Sequence, residues 1–199
     1  MGTRHLICVV KNGEYKIAQY GQWDGYPEGQ GINILKFLSE EMDKEKFERQ
    51  VSGLSYMTDA EFNQLWLDHG VNLDNCDGYV SSDVAERFYT KHPELSRDTG
   101  SNILSMVQSA NKKIKLRNDI DFASDSLFCE WAYVVDLDKN TFEVYQGFNR
   151  IPLSLDERFY GIDKRKGEYY PVRHLATFVL NNLPTKDGFF SCFKEDDEE

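Results

Sequence analysis

A glycine-rich segment near the N-terminus carries the residues best suited to bind a ligand. Residues 21–31 read Gly-Gln-Trp-Asp-Gly-Tyr-Pro-Glu-Gly-Gln-Gly, so four glycines and two aromatic rings fall within eleven residues. The segment runs into a predicted helix, and free backbone N–H groups at a helix start can hold an anion such as phosphate. Gly29 and Gly31 are therefore predicted ligand-binding positions. The alternative is a structural turn, in which Asp24 accepts hydrogen bonds from backbone amides and Pro27 fixes φ.

The residues around this segment exclude two known phosphate-binding signatures. No Gly-Lys-Ser/Thr follows, so it is not a P-loop, and Ile34 stands where the dinucleotide fingerprint has its third glycine. Four side chains of the segment are candidate ligand contacts: Gln22, Trp23, Asp24 and Tyr26. Either aromatic ring can stack on a base or sugar, with Asp24 accepting hydrogen bonds from it. Alternatively, both rings pack the loop onto the core.

Candidates for acid–base chemistry lie beside this loop. The predicted hairpin register places His5 opposite Tyr20. His5 is therefore a candidate general acid or base, and Tyr20 is a candidate ligand-binding residue that orients either His5 or the substrate. Arg4 supplies positive charge for an anionic ligand, and Asp24 is a further candidate catalytic carboxylate. The alternatives are a packed histidine bonded to a tyrosine hydroxyl and an ion pair between Arg4 and a surface carboxylate.

Glu130 is a carboxylate within the most apolar run of the chain, residues 127–137. A buried carboxylate must be paired, or its pKa rises until it is neutral, and a raised pKa is what a catalytic acid needs. Glu130 is therefore a candidate catalytic residue, which Asp121 and Asp125 can join. The alternatives are a partner such as Arg4, Arg173 or His5, or simple exposure on an edge.

Two predicted hairpins position these residues, with strands at 4–10 and 14–20 and at 127–137 and 141–146. Asn12-Gly13 joins the first pair, because this dipeptide accepts the positive φ that a two-residue hairpin turn requires. That turn fixes the register. It pairs Lys11 with Glu14, Cys8 with Ile17 and His5 with Tyr20.

Apolar residues at helical spacing predict the remaining elements. A helix follows residue 31, and a second begins at the Thr58 capping box. A third starts near Asp83 and stops before Pro93, a fourth runs from about 99 to 111, and a last begins at Pro171 and ends at Pro184. This order predicts an α+β fold, in which an antiparallel sheet built from both hairpins packs against helices. We expect a single domain over residues 1–193, with a mainly helical insertion at 43–115, and an acidic tail at 194–199.

The segment 19–31, Gln-Tyr-Gly-Gln-Trp-Asp-Gly-Tyr-Pro-Glu-Gly-Gln-Gly, resembles uncharacterised microbial and phage proteins. Those proteins open with a short hairpin followed by a Trp-Asp-Gly-Tyr-Pro turn and a glycine-flanked helix start. The segment 128–133, Phe-Cys-Glu-Trp-Ala-Tyr, looks like a second block of that family. The resemblance implies a shared site and transfers no activity.

Composition limits the classes of function. Asp and Glu number 34 against 23 Lys and Arg, which gives a formal charge of −11 and argues against direct capture of nucleic acid or an anionic membrane. No run approaches the roughly 18 apolar residues of a membrane span. The cysteines form no C-x-x-C pair and the histidines no H-x-x-x-H pair, so no metal or cofactor is predicted. We expect a cytoplasmic protein.

Two functions fit these observations. The first is a small-molecule-binding protein that binds or hydrolyses a nucleotide-like ligand between the first hairpin, the 21–31 loop and residues 128–134. The second is a non-enzymatic interaction or inhibitor protein, whose charge of −11 presents an acidic surface to a basic protein partner.

Overall fold

The computed structural model describes residues 2–75, 79–162 and 167–193, and the predicted acidic tail 194–199 lies outside them. The described part of the chain contains a five-stranded sheet and helices, so the predicted α+β fold is confirmed. The strands are β1 (His5–Lys11), β2 (Glu14–Gly21), β3 (Ser55–Tyr56), β4 (Lys115–Leu116), β5 (Trp131–Asp136), β6 (Thr141–Gln146) and β7 (Arg173–Val179). β3 and β4 form a separate two-stranded sheet.

Both predicted hairpins belong to this sheet, whose strand order is β2-β1-β5-β6-β7. β1 pairs with β2 and β5 pairs with β6, each antiparallel, as predicted. The hairpins meet through a parallel pairing of β1 with β5, in which His5 lies beside Trp131. The first residues of β1 are therefore inside the sheet, between β2 and β5.

The predicted last helix from Pro171 is wrong. Residues Arg173–Val179 form β7, which pairs antiparallel with β6. The spacing of Leu175, Ala176 and Val179 fits a helix, but the run is also rich in β-branched and aromatic residues. Pairing with β6 satisfies its backbone, and this tertiary contact overrides the apparent periodicity.

A β-bulge in the first hairpin shifts the predicted register by one residue. Lys11 faces Glu14 as predicted, but the pairing shifts between Val9 and Val10, where β2 accommodates Lys16 as an extra residue. Beyond the bulge, Cys8 faces Ala18 and His5 faces Gly21, so the predicted pairs of Cys8 with Ile17 and of His5 with Tyr20 are wrong. Because side chains alternate along a strand, the shift also moves Tyr20 to the face opposite His5.

The helices are α1 (Ile32–Lys36), α2 (Lys44–Ser52), α3 (Asp59–Asp68), α4 (Ser82–Lys91), α5 (Asn102–Ser109) and α6 (Lys186–Ser191). Single π-helical turns, Pro27–Gly31 and Phe37–Glu41, extend α1 at both ends. The Thr58 capping box is confirmed at the start of α3, since Thr58 and Glu61 exchange side-chain-to-backbone hydrogen bonds. α4 and α5 lie where the third and fourth predicted helices were placed.

The two faces of the sheet form two apolar clusters. One cluster packs Ile7, Val9 and Ile17 against helix residues such as Ile34 and Val107. The other cluster lies on the opposite face of the sheet. It packs strand residues, Leu6, Cys8, Ala18 and Val134, against residues outside the strands, such as Ala123 and Phe159. The strands β1, β5 and β6 are thus buried on both sides, whereas the edge strand β7 is largely exposed.

Candidate functional site

The glycine-rich loop is a tightly hydrogen-bonded turn beside the start of β1. The Gly25 N–H donates to the Thr3 carbonyl over 2.9 Å, and the Gln30 N–H donates to the Asp24 carbonyl over 2.8 Å. Asp24 has a φ of 55°, in the left-handed region that aspartate adopts more readily than most residues. A Cβ at Gly29 would lie 2.1 Å from the Asp24 carbonyl oxygen, so glycine is required there for close packing.

The predicted anion-binding donors of this loop are occupied. The N–H groups of Gly29 and Gly31 both donate to the carbonyl of Tyr26, over 3.0 Å and 3.5 Å. These bonds form because the first helical turn closes on itself as a π-helical turn instead of leaving its amides free. The structural alternative for these two glycines therefore fits the geometry better than a phosphate cradle.

His5 is sealed inside the protein. Its side chain is packed against Gly21 and Gly25, the residue is 1% exposed, and neither ring nitrogen has a hydrogen-bond partner among the described residues. Burial lowers the pKa of His5 to about 4; the Thr3 carbonyl, which approaches the ring without meeting hydrogen-bond geometry, and the charge of Asp24 raise the pKa by less. The ring therefore stays neutral at neutral pH and has no access to a ligand in this conformation.

Glu130 does not lie inside an apolar strand as predicted. It precedes β5, because residues 126–128 form a turn and the strand begins only at Trp131. Its Oε1 accepts a hydrogen bond from the Arg4 backbone N–H over 3.1 Å and lies 3.6 Å from the Arg4 Nε. The Arg4 guanidinium also stacks on the Phe128 ring, 4.6 Å from its centroid. Of the alternatives for Glu130, pairing with a basic residue therefore fits the structure, and that residue is Arg4.

The start of β1 separates Glu130 from the loop. The Thr3 carbonyl receives the Gly25 N–H on one side, while the Arg4 N–H reaches Glu130 on the other. Trp23 and Tyr26 remain partly exposed, at 46% and 40%. Trp23 Nε1 donates to Asp98 over 2.7 Å, and the Tyr26 hydroxyl donates to Asp24 over 3.3 Å.

An open cavity of about 620 Å³ lies beside the start of the glycine-rich loop, where β2 ends. Tyr20 lines it and contacts Phe122 edge-to-face, with ring centroids 4.9 Å apart. The Tyr20 hydroxyl donates to Gln22 Oε1 over 2.5 Å, so Tyr20 connects this wall to a second predicted ligand residue, which does not itself line the cavity. Its remaining lining residues are Gln19, Tyr89, Glu94, Leu95, Arg97, Arg117, Asn118, Asp119, Asp121 and Asp125.

Asp119 anchors this cavity to the sheet. Its N–H donates to the Ala18 carbonyl over 2.8 Å, and its carboxylate accepts the Tyr20 N–H over 3.0 Å. Burial raises the pKa of Asp119, while the Tyr20 N–H and the Arg117 charge lower it by less. A carboxylate with a raised pKa at the wall of a cavity is a feature that acid–base and ligand-binding sites share.

The sequence reasoning missed the residues that form most of this cavity, including Arg97, Arg117, Asp119 and Phe122. They lie in segments without clear helical or strand periodicity, which reach the loop only through tertiary contacts. Asp121 and Asp125, predicted to accompany Glu130, line this cavity instead. The polar run 117–119 before the aromatic Phe122 is the one local signal that could have indicated a site.

A second polar cluster was also missed. Arg158 donates to Asp136 over 2.6 Å and to both carboxylate oxygens of Glu143 over 2.7 Å each, and Tyr145 donates to Glu143 over 2.6 Å. Burial favours neutral Glu143, but the bonds from Arg158 and Tyr145 outweigh it and hold the pKa of Glu143 below its ordinary value. These mutually satisfied charges form a structural network within the sheet.

Comparison of the chain with known protein families, with curated proteins and with solved structures gave no match. The relationship to the microbial and phage proteins therefore stays a prediction.

Among the described residues, no cluster of three or more His, Cys, Asp or Glu side chains is arranged to hold a metal ion. No helix within the described ranges has the length and apolar character needed to cross a membrane.

Proposed function

We propose that the protein binds a small nucleotide-like molecule in the cavity beside Tyr20. The observation that carries this proposal is the combination of an edge-to-face aromatic pair, Tyr20 and Phe122, with charged groups of both signs around a space of about 620 Å³. Ligand pockets typically occupy about 300–1,000 Å³ and combine aromatic walls with a few polar groups that fix orientation. A flat ring packs on the aromatic wall while the polar groups bind its edges.

The charges of the cavity narrow the ligand class. Four acidic residues line it, Glu94, Asp119, Asp121 and Asp125, against two arginines, Arg97 and Arg117. The Arg117 guanidinium lies over the Phe62 ring, 4.3 Å from its centroid, and 3.5 Å from Asp59. Carboxylates accept hydrogen bonds from amino groups and ribose hydroxyls but repel additional phosphates. The cavity therefore favours a nucleoside or a nucleoside monophosphate over a triphosphate.

We also propose a cytoplasmic location. Cys8 and Cys129 are buried free thiols, and Cys192 is an exposed free thiol. Burial raises the pKa of both Cys8 and Cys129, which keeps them protonated and unreactive. Unpaired cysteines are typical of a reducing compartment.

Isothermal titration calorimetry with adenosine, adenosine 5′-monophosphate (AMP) and adenosine triphosphate tests the binding proposal, followed by the corresponding guanine, cytosine and uracil compounds. We expect saturable binding of at least one nucleoside or monophosphate, with the triphosphate weaker. Phe122→Ala should weaken that binding at least tenfold, because it removes the aromatic wall. Phe148→Ala, at a 53% exposed phenylalanine outside the cavity, is the matched control. No binding of any of these compounds at millimolar concentration, or equal binding by Phe122→Ala and the wild type, would refute the proposal.

A further inference from the structure

A second cavity adjoins the proposed site. It has a volume of about 820 Å³ and shares Tyr89 and Arg97 with the cavity beside Tyr20. Its other lining residues include Trp66 and Tyr79, and Tyr79 is 76% exposed. Each cavity is large enough by itself for one nucleoside-sized group, since ligand pockets begin at about 300 Å³.

The glycine-rich loop holds the segment that separates the two cavities. The Gln22 N–H donates to the Arg97 carbonyl over 2.9 Å, and Trp23 Nε1 donates to the Asp98 carboxylate over 2.7 Å. Asp98 lines the second cavity. Two predicted ligand residues of the loop thus fix the backbone at the boundary between the cavities, without filling either of them.

Arg97 is placed to bind an anion at this boundary. Its side chain is 60% exposed, and its Nε lies 3.9 Å from Asp98, which is beyond hydrogen-bond distance. The guanidinium therefore keeps donors for a ligand, and a phosphate oxygen pair matches its planar fork. The Asp98 carboxylate lies beside Arg97, and each cavity has a further acidic residue, Glu94 in the first and Glu86 in the second, so one anionic group fits better there than several.

We propose that the ligand spans both cavities as two flat rings joined by one phosphodiester, which is the chemistry of a dinucleoside monophosphate. This inference rests on the proposed function. One base packs on Tyr20 and Phe122, the other on Tyr79 and Tyr89, and Arg97 binds the phosphodiester. The ligand is a small molecule, since the chain charge of −11 opposes binding of a long nucleic acid.

Calorimetric titration with the dinucleoside monophosphate ApA, beside AMP, tests the inference. We expect ApA to bind at least tenfold more tightly than AMP. Once Arg97 holds the phosphate of ApA, the second base binds in the second cavity as an intramolecular step and adds contacts that AMP lacks. Tyr79→Ser should lower the ratio of ApA to AMP affinity at least fivefold, and its high exposure makes this change safe for folding. Tyr160→Ser, at a 44% exposed tyrosine outside both cavities, is the matched control.

The outcomes separate this inference from the proposed function. Equal affinities for ApA and AMP, or an unchanged affinity ratio in Tyr79→Ser, would overturn the two-cavity ligand. If AMP binding still depended on Phe122 in that case, the proposed function would stand. If ApA did not bind, this inference would fail, and the proposed function would fail with it only if none of the nucleosides and monophosphates bound. Arg97→Gln should weaken ApA at least fivefold more than it weakens adenosine, which has no phosphate, and equal weakening of both would also contradict the inference.

Discussion

Replacing His5 with leucine should stabilise the protein. His5 is 1% exposed, and both of its ring nitrogens lack hydrogen-bond partners among the described residues. A buried polar group without a partner costs about 1–3 kcal/mol, and leucine is an apolar side chain of similar size. We expect the free energy of unfolding of His5→Leu at pH 7 to exceed that of the wild type by about 1–3 kcal/mol.

The same substitution should reduce the loss of stability in acid. The pKa of His5 is lowered by burial from 6.5 to about 4, so the unfolded chain binds the proton at a higher pH than the folded protein does. Between these two values the unfolded state carries more protons, and stability falls as pH falls. The full difference between the two pKa values corresponds to about 3 kcal/mol of stability. The wild type loses this stability as the pH falls, whereas His5→Leu should keep it.

Urea unfolding followed by tryptophan fluorescence, at several pH values from 7 to 4.5, measures both effects. The difference in free energy of unfolding between His5→Leu and the wild type should widen steadily as the pH falls. His174→Leu, at an exposed histidine of β7, controls for the loss of a histidine as such. A pH-independent difference, or a variant less stable than the wild type at pH 7, would refute the account of His5.

Two further substitutions test the hydrogen-bond networks that stabilise the fold. Arg158→Met leaves Asp136 and Glu143 buried without their cation, so urea unfolding should show a loss of about 3–5 kcal/mol. A loss below about 1 kcal/mol would show that the carboxylates find other partners. Thr58→Ala removes the capping bond to the Glu61 N–H at the start of α3 and should cost about 1 kcal/mol in thermal unfolding. Thr58→Ser keeps the hydroxyl and should lose less, and equal losses in both variants would contradict the capping role.

Local sequence signals predicted the elements they specify. Asn12 and Gly13 have φ values of 57° and 72°, as the hairpin turn requires, because few other residues tolerate that conformation. The capping residues Thr58 and Glu61 placed the start of α3 at the correct residue, since their bonds involve only neighbouring backbone amides. These features depend on a few adjacent residues and need no tertiary contact.

Features that depend on tertiary contacts could not be predicted in the same way. The bulge at Lys16 changes the partner of His5, and no local pattern distinguishes it from a regular hairpin. Glu130 was predicted to be a catalytic residue because it was placed inside an apolar strand, but β5 begins at Trp131, one residue after it. The cavity beside Tyr20 requires residues from three distant segments, so the sequence could indicate Tyr20 but not Asp119 or Phe122.

Backbone amide chemical-shift mapping during titration with the nucleoside or monophosphate that binds most tightly in calorimetry tests the location of the proposed site most directly. Our account predicts that the largest shifts fall on Gln19–Gln22, on Arg97 and on residues 117–122, which surround the cavity beside Tyr20. Amides near Glu143 and His174, which line a separate cavity on the β6–β7 side, should not shift. Shifts confined to the amides near Glu143 and His174, or no shifts at a saturating concentration of that compound, would contradict the claim that the protein binds a nucleotide-like ligand beside Tyr20.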